Sequence, residues 1–486
     1  MSDGFPLSHI SLLDTGDTFF AMDRYRGRWT FLSRKELGGL RLLQARPETL
    51  TASERQSRQL IDDRLREAAF GVPLEDSYGD LNTLILKLTK VCNYRCKYCY
   101  DMEPEDSYSH LPLSVAISAL EEAIRIAHRP AGQSAQPDLT VILHGGEPTL
   151  VFPTIQELVL RGEQFADRYG KKVRFCGQTN LSRVTPGFVE FSQQHRIGWG
   201  ISLDGSAAIN DEFRVLPNGR GTYSFFEDAL REYPEFVRSC SVLTVVTSLN
   251  EGQLLPIARH FRDCGMTGWG WTLFQAIGRA RSETGCYQFS VERVIESWNE
   301  LLEAVESGEF DGFDVRPVSG YLENLVAGPG PNMCMRKHCG AARDLLSISP
   351  DGTIEACDCI DRRGPLANLG LVQIAAPNSL DAARQSERAN LIRSRDVQRG
   401  KCDTCIWLSV CGGTCLAYAP SLHGVHDEHC HLAMNAFTRI VNSLARSNSL
   451  YRYWNSVRQA RENRHARQQR AETGSRSQAS VCHDAA

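Results

Sequence analysis

The chain predicts an α/β fold built on a parallel sheet, followed by a cysteine-rich segment and preceded by a small α+β unit. Three observations carry that expectation. Six apolar, β-prone runs recur through the middle of the chain, helical patterns fill the gaps between them, and twelve of the seventeen cysteines fall in groups at 92–99, 334–359 and 402–430. The runs cover 83–88 (TLILKL), 139–143, 173–177, 199–203, 242–247 and 269–274. Between them, LSVAISALEEAIRIAHR after Pro112 and PTIQELVLRGEQFADRYG from Pro153 have helical periodicity. Six βα units in series imply a parallel sheet, either doubly wound or curled into a partial barrel. In both architectures ligands bind at the carboxyl ends of the strands.

Residues 1–80 stand apart. The β-prone pieces DTFFAMD and RWTFLS precede SRKELGGLRLL and SERQSRQLIDDRLREAA, in which Ser33 and Ser53 read as helix N-caps and Glu36 completes a capping box with Ser33. At the other end, residues 446–486 read as a polar, arginine-rich tail whose last twenty or so residues lack apolar periodicity and are expected to be disordered. The remaining boundaries fall at 81–310 for the βα core and 311–445 for the cysteine-rich part.

Composition excludes several classes. A net charge of −4 argues against a broad nucleic-acid footprint. No run of eighteen apolar residues is present, and MSDGFPLSHI lacks the basic start and apolar stretch of a secretory signal, so the expectation is a cytoplasmic chain with no membrane partner. In a reducing compartment seventeen cysteines point away from disulfides and toward metal or catalysis.

VCNYRCKYCY follows the first strand and places Cys92, Cys96 and Cys99 as CxxxCxxC. HGGEPTL follows the second, QTN the third and SLDG the fourth, so that Gly145, Gly146, Glu147, Asn180, Ser202 and Asp204 would converge on one mouth. A zinc reading would require a fourth ligand and no Gly-Gly-Glu. The glycines by themselves also suit a turn before Pro148, and Asp-Gly an ordinary turn.

This order of motifs over 83–280 resembles the radical S-adenosylmethionine (SAM) superfamily, whose core is a partial (β/α)6 TIM barrel. The resemblance implies that Cys92, Cys96 and Cys99 hold three irons of a 4Fe-4S cluster, and that the fourth iron takes the amino and carboxylate groups of SAM. Gly145 and Gly146 would then let the backbone approach the SAM amino group beside Glu147. Arg214, in NDEFRVLPNGRGTY, would pair with the SAM carboxylate, unless it is a solvated surface arginine.

Further on, Cys334 and Cys339 precede Gly352 and Cys357, and KCDTCIWLSVCGGTCLAY carries Cys402, Cys405, Cys411 and Cys415 ahead of Cys430. These spacings resemble a SPASM domain, the auxiliary-cluster extension of peptide-modifying radical SAM enzymes. By resemblance, Cys334, Cys339, Cys357 and Cys415 hold one auxiliary 4Fe-4S cluster, and Cys402, Cys405, Cys411 and Cys430 hold the other. Cys176, Cys240, Cys264, Cys286, Cys359 and Cys482 have no place in the patterns and read as structural or incidental. Asp358 occupies the place of the general base of sulfatase-maturing enzymes; a hydrogen-bonded turn residue is the other reading.

The resemblance implies an oxidoreductase acting on a precursor peptide or protein, with a reducing partner such as flavodoxin or ferredoxin. The N-terminal unit is similar in pattern to winged domains that bind leader segments, and reads otherwise as a cap over the barrel. Together with MCMRKHCGAAR at 333–343 it favours a ribosomal-peptide maturase forming cyclophane-like carbon-carbon or thioether crosslinks. The alternatives are an anaerobic sulfatase-maturing enzyme forming formylglycine and a non-catalytic iron-sulfur scaffold.

Overall fold

Three antiparallel strands, β1 (Ile10–Asp14), β2 (Thr18–Asp23) and β3 (Arg28–Ser33), form a sheet of order β1-β2-β3. Successive residues of a strand face opposite sides, and β2 uses both. Phe20 and Met22 enter the main core, whereas Ala21 joins a small cluster with Leu32, Leu40, Ile61, Leu65 and Phe70. The helices Arg34–Leu40 and Ala52–Glu67 close that small cluster. Ser33 and Glu36 form the expected capping box. The second helix starts earlier than the sequence reading placed it: Thr51, not Ser53, is the N-cap, because Thr51 has Glu54 three residues on to complete a reciprocal box. The two-stranded expectation for this unit was also one strand short.

The structure is a computed structural model that describes residues 7–72, 80–102, 109–128, 136–283, 287–328, 334–335, 338–374, 378–395, 400–419 and 421–464. Cys286, Cys482, the expected disordered tail and part of the 333–343 segment lie outside the described residues.

The main sheet begins at β4 (Thr83–Lys87) and continues with β5 (Leu139–His144), β6 (Val173–Thr179), β7 (Gly198–Ser202), β8 (Ser241–Val246), β9 (Gly268–Leu273) and β10 (Asp314–Val315). Each pairs in parallel with the next. Strand order follows chain order, so every crossover steps the same way across the sheet; a doubly wound sheet would reverse. β4 is buried along its whole length, as expected of a parallel strand covered on both faces.

On the far side of β4 the sheet goes on into the cysteine-rich part. β11 (Leu345–Ile348) pairs in parallel with β4, and β12 (Thr353–Glu355) and β13 (Asn368–Leu371) follow antiparallel. Gly352, at φ +82°, makes the β11–β12 turn, a backbone conformation that side chains disfavour. The cysteine-rich part is therefore an extension of the same sheet. The segment read as a polar tail from 446 needs correction as well. A helix spans 449–464, and its Leu450, Tyr453 and Val457 are buried in the main core at helical spacing. That short apolar stripe was masked by the arginines around it.

Candidate active site at the carboxyl end of the sheet

The loop after β4 carries Cys92, Cys96 and Cys99, and the ends of β5, β6 and β7 lie beside it because the strands are parallel and in register. Hydrogen bonds tie these loops together. The Asn180 amide donates to Asn93 at 3.0 Å and lies 3.9 Å from the Cys92 sulfur. Tyr94 donates its hydroxyl to the Asn180 carbonyl, and Tyr98 donates to the fully buried Asp204. Arg214 is itself buried, with Nε 3.2 Å from the Asp204 carboxylate and one terminal nitrogen 3.8 Å from the Cys96 sulfur. It is thus no solvated surface arginine. Ser202 is engaged within the sheet, accepting from Gln178 at 2.8 Å.

Three residues, Gly145, Gly146 and Glu147, have partners within the protein that the motif did not imply. A Cβ on Gly146 would overlap the Val91 carbonyl, and one on Gly145 would overlap Thr89, so the glycine pair makes room for the backbone of the cysteine loop. Gly146 N–H donates to the Thr89 carbonyl and Glu147 N–H to that of Val91. Glu147, buried, accepts from Thr149 N–H and hydroxyl, from the Thr179 hydroxyl and from Asn180 N–H, at 2.7–3.1 Å. Four donors fill the capacity of a carboxylate, so Glu147 staples the end of β5 to that of β6. Burial outweighs these hydrogen bonds and raises its pKa.

Burial pushes the Cys92 thiol up to about 12, with the Cys96 sulfur adding to it, and Cys96 to about 11 against the opposing charge of Arg214; burial and the Asp101 carboxylate raise Cys99 as well. Ligation requires thiolates, so an iron site here would form with release of protons. Three thiols on one loop, Cys92 feeling Cys96 and Cys99 and Cys96 feeling Cys99, with the loop backbone held in a glycine cradle, suit a cluster that keeps one iron for another ligand.

Lys87, the last residue of β4, belongs to the site although no motif marks it. Its ammonium is buried 3.0 Å from Asp101 and 3.2 Å from Glu355, and donates to the Asp358 carbonyl at 3.3 Å. A lysine inside TLILKL was the available signal, since a buried charge must be paired. Tyr100, next to Cys99, donates to the Asp358 carboxylate at 3.1 Å. The cysteine loop and the turn after β12 therefore meet at Asp358. Lys87, Tyr100, Asp101, Ile277, Asp358 and Arg362 line a small cavity there.

The C-terminal cysteines fall into two neighbourhoods. The thiol of Cys334 feels Cys415, Cys357 and Cys339, and that of Cys415 feels Cys339 and Cys357. Cys411 has Cys405 and Cys402 as neighbours, and Cys430, at the start of the helix Asp427–Arg446, has Cys405. Lys401 pairs with Asp427 and draws that helix against the segment holding Cys402. Cys359, which the sequence patterns left aside, lies with the first group: its sulfur, the Cys357 sulfur and an Asp358 carboxylate oxygen are within 4.8 Å of one another.

The core domain and the fold have known relatives. Residues 86–261 match the profile of the Radical SAM superfamily. A cysteine-type anaerobic sulfatase-maturating enzyme of Clostridium novyi (strain NT) is 23% identical over 344 residues, 69% of this chain and 87% of the relative. The solved structure described as native anSMEcpe with bound AdoMet superposes with TM-score 0.62 at 19% identity, over 74% of this chain and 98% of that one. Streptococcus suis SuiB bound to precursor peptide SuiA gives TM-score 0.50 at 15% identity, over 87% of this chain and 98% of that one. The chain carries a radical SAM domain and is an enzyme; a 4Fe-4S cluster and SAM are the cofactors that this superfamily implies. No helix among the described residues is long and apolar enough to cross a membrane.

Proposed function

We propose that the chain is a radical SAM maturase that oxidises side chains of a ribosomally made precursor peptide, joining them by a carbon-carbon or thioether crosslink. The observation that carries this reading is the hydrogen bond from Tyr100 to Asp358, which links the loop of the three cysteines to a carboxylate beside a second group of thiols. The two auxiliary sites are assigned Cys334, Cys339, Cys357 and Cys415, and Cys402, Cys405, Cys411 and Cys430. Two sets of four thiols suit cubane clusters with complete cysteine ligation.

When bound, SAM and the clusters supply one-electron chemistry: abstraction of a substrate hydrogen atom and acceptance of the electron released as product forms. The protein residues do the rest. Arg214, held by Asp204, would offer its guanidinium to the SAM carboxylate. Glu147 and the glycine pair keep the cysteine loop in place, and Asn180 fixes it from the side. Asp358 takes the proton that leaves the substrate as the new bond forms, with Tyr100 orienting its carboxylate. The N-terminal unit, whose β1 and β3 are edge strands, would receive a leader segment by strand addition. A flavodoxin or ferredoxin would supply reducing electrons.

Sulfatase maturation is the second reading, favoured by the sulfatase-maturating relative. It leaves the N-terminal unit without a role, whereas the peptide-bound structure is matched over a larger share of this chain. Anaerobic incubation of the reconstituted protein with a precursor peptide, SAM and reductant distinguishes them by mass spectrometry. Loss of hydrogen without a carbonyl reactive toward hydrazine supports a crosslink; a hydrazine-reactive aldehyde on a sulfatase-derived peptide sinks it. Asp358→Asn is expected to lower product by roughly two orders of magnitude while 5'-deoxyadenosine still forms. An unchanged product rate removes Asp358 from the role of base.

A further inference from the structure

Five thiols, not four, converge where the first auxiliary group lies. In an extended segment, side chains at i and i+2 share a face but stand about 6.6 Å apart. Here residues 358–359 form a turn, which brings Cys359 back to within 4.8 Å of Cys357. The turn is anchored from outside: the Gln275 amide donates to the Cys359 carbonyl at 3.1 Å and to the Ala417 carbonyl at 2.9 Å, joining it to the stretch that follows Cys415. Cys359 and Cys415 are electrostatic neighbours, and Tyr418 has Cys359, Cys415 and Cys334 around it. Cys359 thus has the same surroundings as the assigned ligands. Cys334 differs from the others in being exposed as a residue, although its sulfur is desolvated among those of Cys415, Cys357 and Cys339.

We propose that Cys359 is an alternative iron ligand of this auxiliary site, able to take the iron position of Cys334. This rests on the proposed presence of an auxiliary cluster there. The exchange is redox-neutral: the Cys359 S–H bond breaks as its sulfur binds iron, the iron bond to Cys334 breaks, and the Cys334 sulfur takes up the proton. Cys339, Cys357 and Cys415 remain the permanent ligands.

The test uses the full chain with Cys92→Ala, Cys96→Ala and Cys99→Ala, reconstituted anaerobically, so that only auxiliary iron is counted. Iron, acid-labile sulfide and the electron paramagnetic resonance spectrum after reduction are read for this parent. The same quantities are read with Cys334→Ala, Cys359→Ala, both together, and Cys339→Ala. The parent is expected to hold roughly eight irons per chain. Cys334→Ala should keep them with an altered spectrum, and the double variant should lose about half. If Cys334→Ala loses as much iron as Cys339→Ala while the parent is full, the exchange is wrong and the auxiliary reading stands. If the double variant loses no more than Cys334→Ala, Cys359 is not a ligand. A parent without iron would overturn both this inference and the proposed auxiliary sites.

Discussion

At Lys87 a single side chain joins three parts of the site, and its energetics can be worked out. Burial opposes its charge, but Asp101 and Glu355 outweigh that and hold it protonated. Burial would likewise raise Asp101, yet Lys87 and Lys90 bring it down to about 2. A depressed carboxylate contributes stability above its unfolded value near about 4 and loses it as pH falls from there toward about 2. Lys87→Met would leave Asp101 with Lys90 and Glu355 with Arg362, whose Nε lies 2.9 Å away. Breaking a buried pair costs about 3–5 kcal/mol. The variant should therefore lose stability at the lower end of that range in denaturant at pH 7. Its acid unfolding midpoint, followed by circular dichroism, should move to higher pH, because the variant starts from a smaller stability at neutral pH, where the Lys87–Asp101 contribution is fully present in the parent. An unchanged midpoint would mean that the pairing does no more than offset desolvation.

Among the elements, the 449–464 helix is where pattern and structure part company. Tyr453 is fully buried; its hydroxyl accepts from Val315 N–H at 2.8 Å and donates to the Phe313 carbonyl at 3.2 Å, fastening the helix to β10. Tyr453→Ala removes that packing and orphans the Val315 N–H, with an expected loss of about 3–5 kcal/mol. Arg458→Ala on the exposed face should stay within about 0.5 kcal/mol. Thermal unfolding of the two variants makes the comparison, and equal effects would show that the helix is only loosely docked.

Across the whole molecule, aromatic contacts bind the N-terminal unit to the rest. Phe20 lies 5.6 Å from Trp407, which stacks on Phe437 at 5.3 Å, and the Trp29 indole donates to the Leu325 carbonyl at 2.8 Å. Trp407 stands between Cys405 and Cys411 in sequence, so the first sheet packs directly on the cysteine-rich part. Phe20→Ala should cost about 3–5 kcal/mol and lower one calorimetric transition for the entire chain. A separate early transition for residues 7–72 would show instead that the unit unfolds independently.

The alternation of apolar strands with helical segments was enough to determine the parallel core, because period and spacing are local properties of the chain. The motifs after successive strands were legible for the same reason: parallel strands deliver their loops to one end wherever the sheet curls. Thr51 could have been recognised as a cap from Glu54 alone. What no local pattern carried was the use of each group once long-range contacts formed. Glu147 spends its carboxylate on Thr149, Thr179 and Asn180, the Gly145–Gly146 pair yields space to the backbone of residues 89–91, and Cys359 folds back beside Cys357 through a turn held by Gln275. Only tertiary structure decides such matters. A carboxylate or thiol has the same spelling whatever it faces, and burial by segments distant in sequence determines its partners and charge.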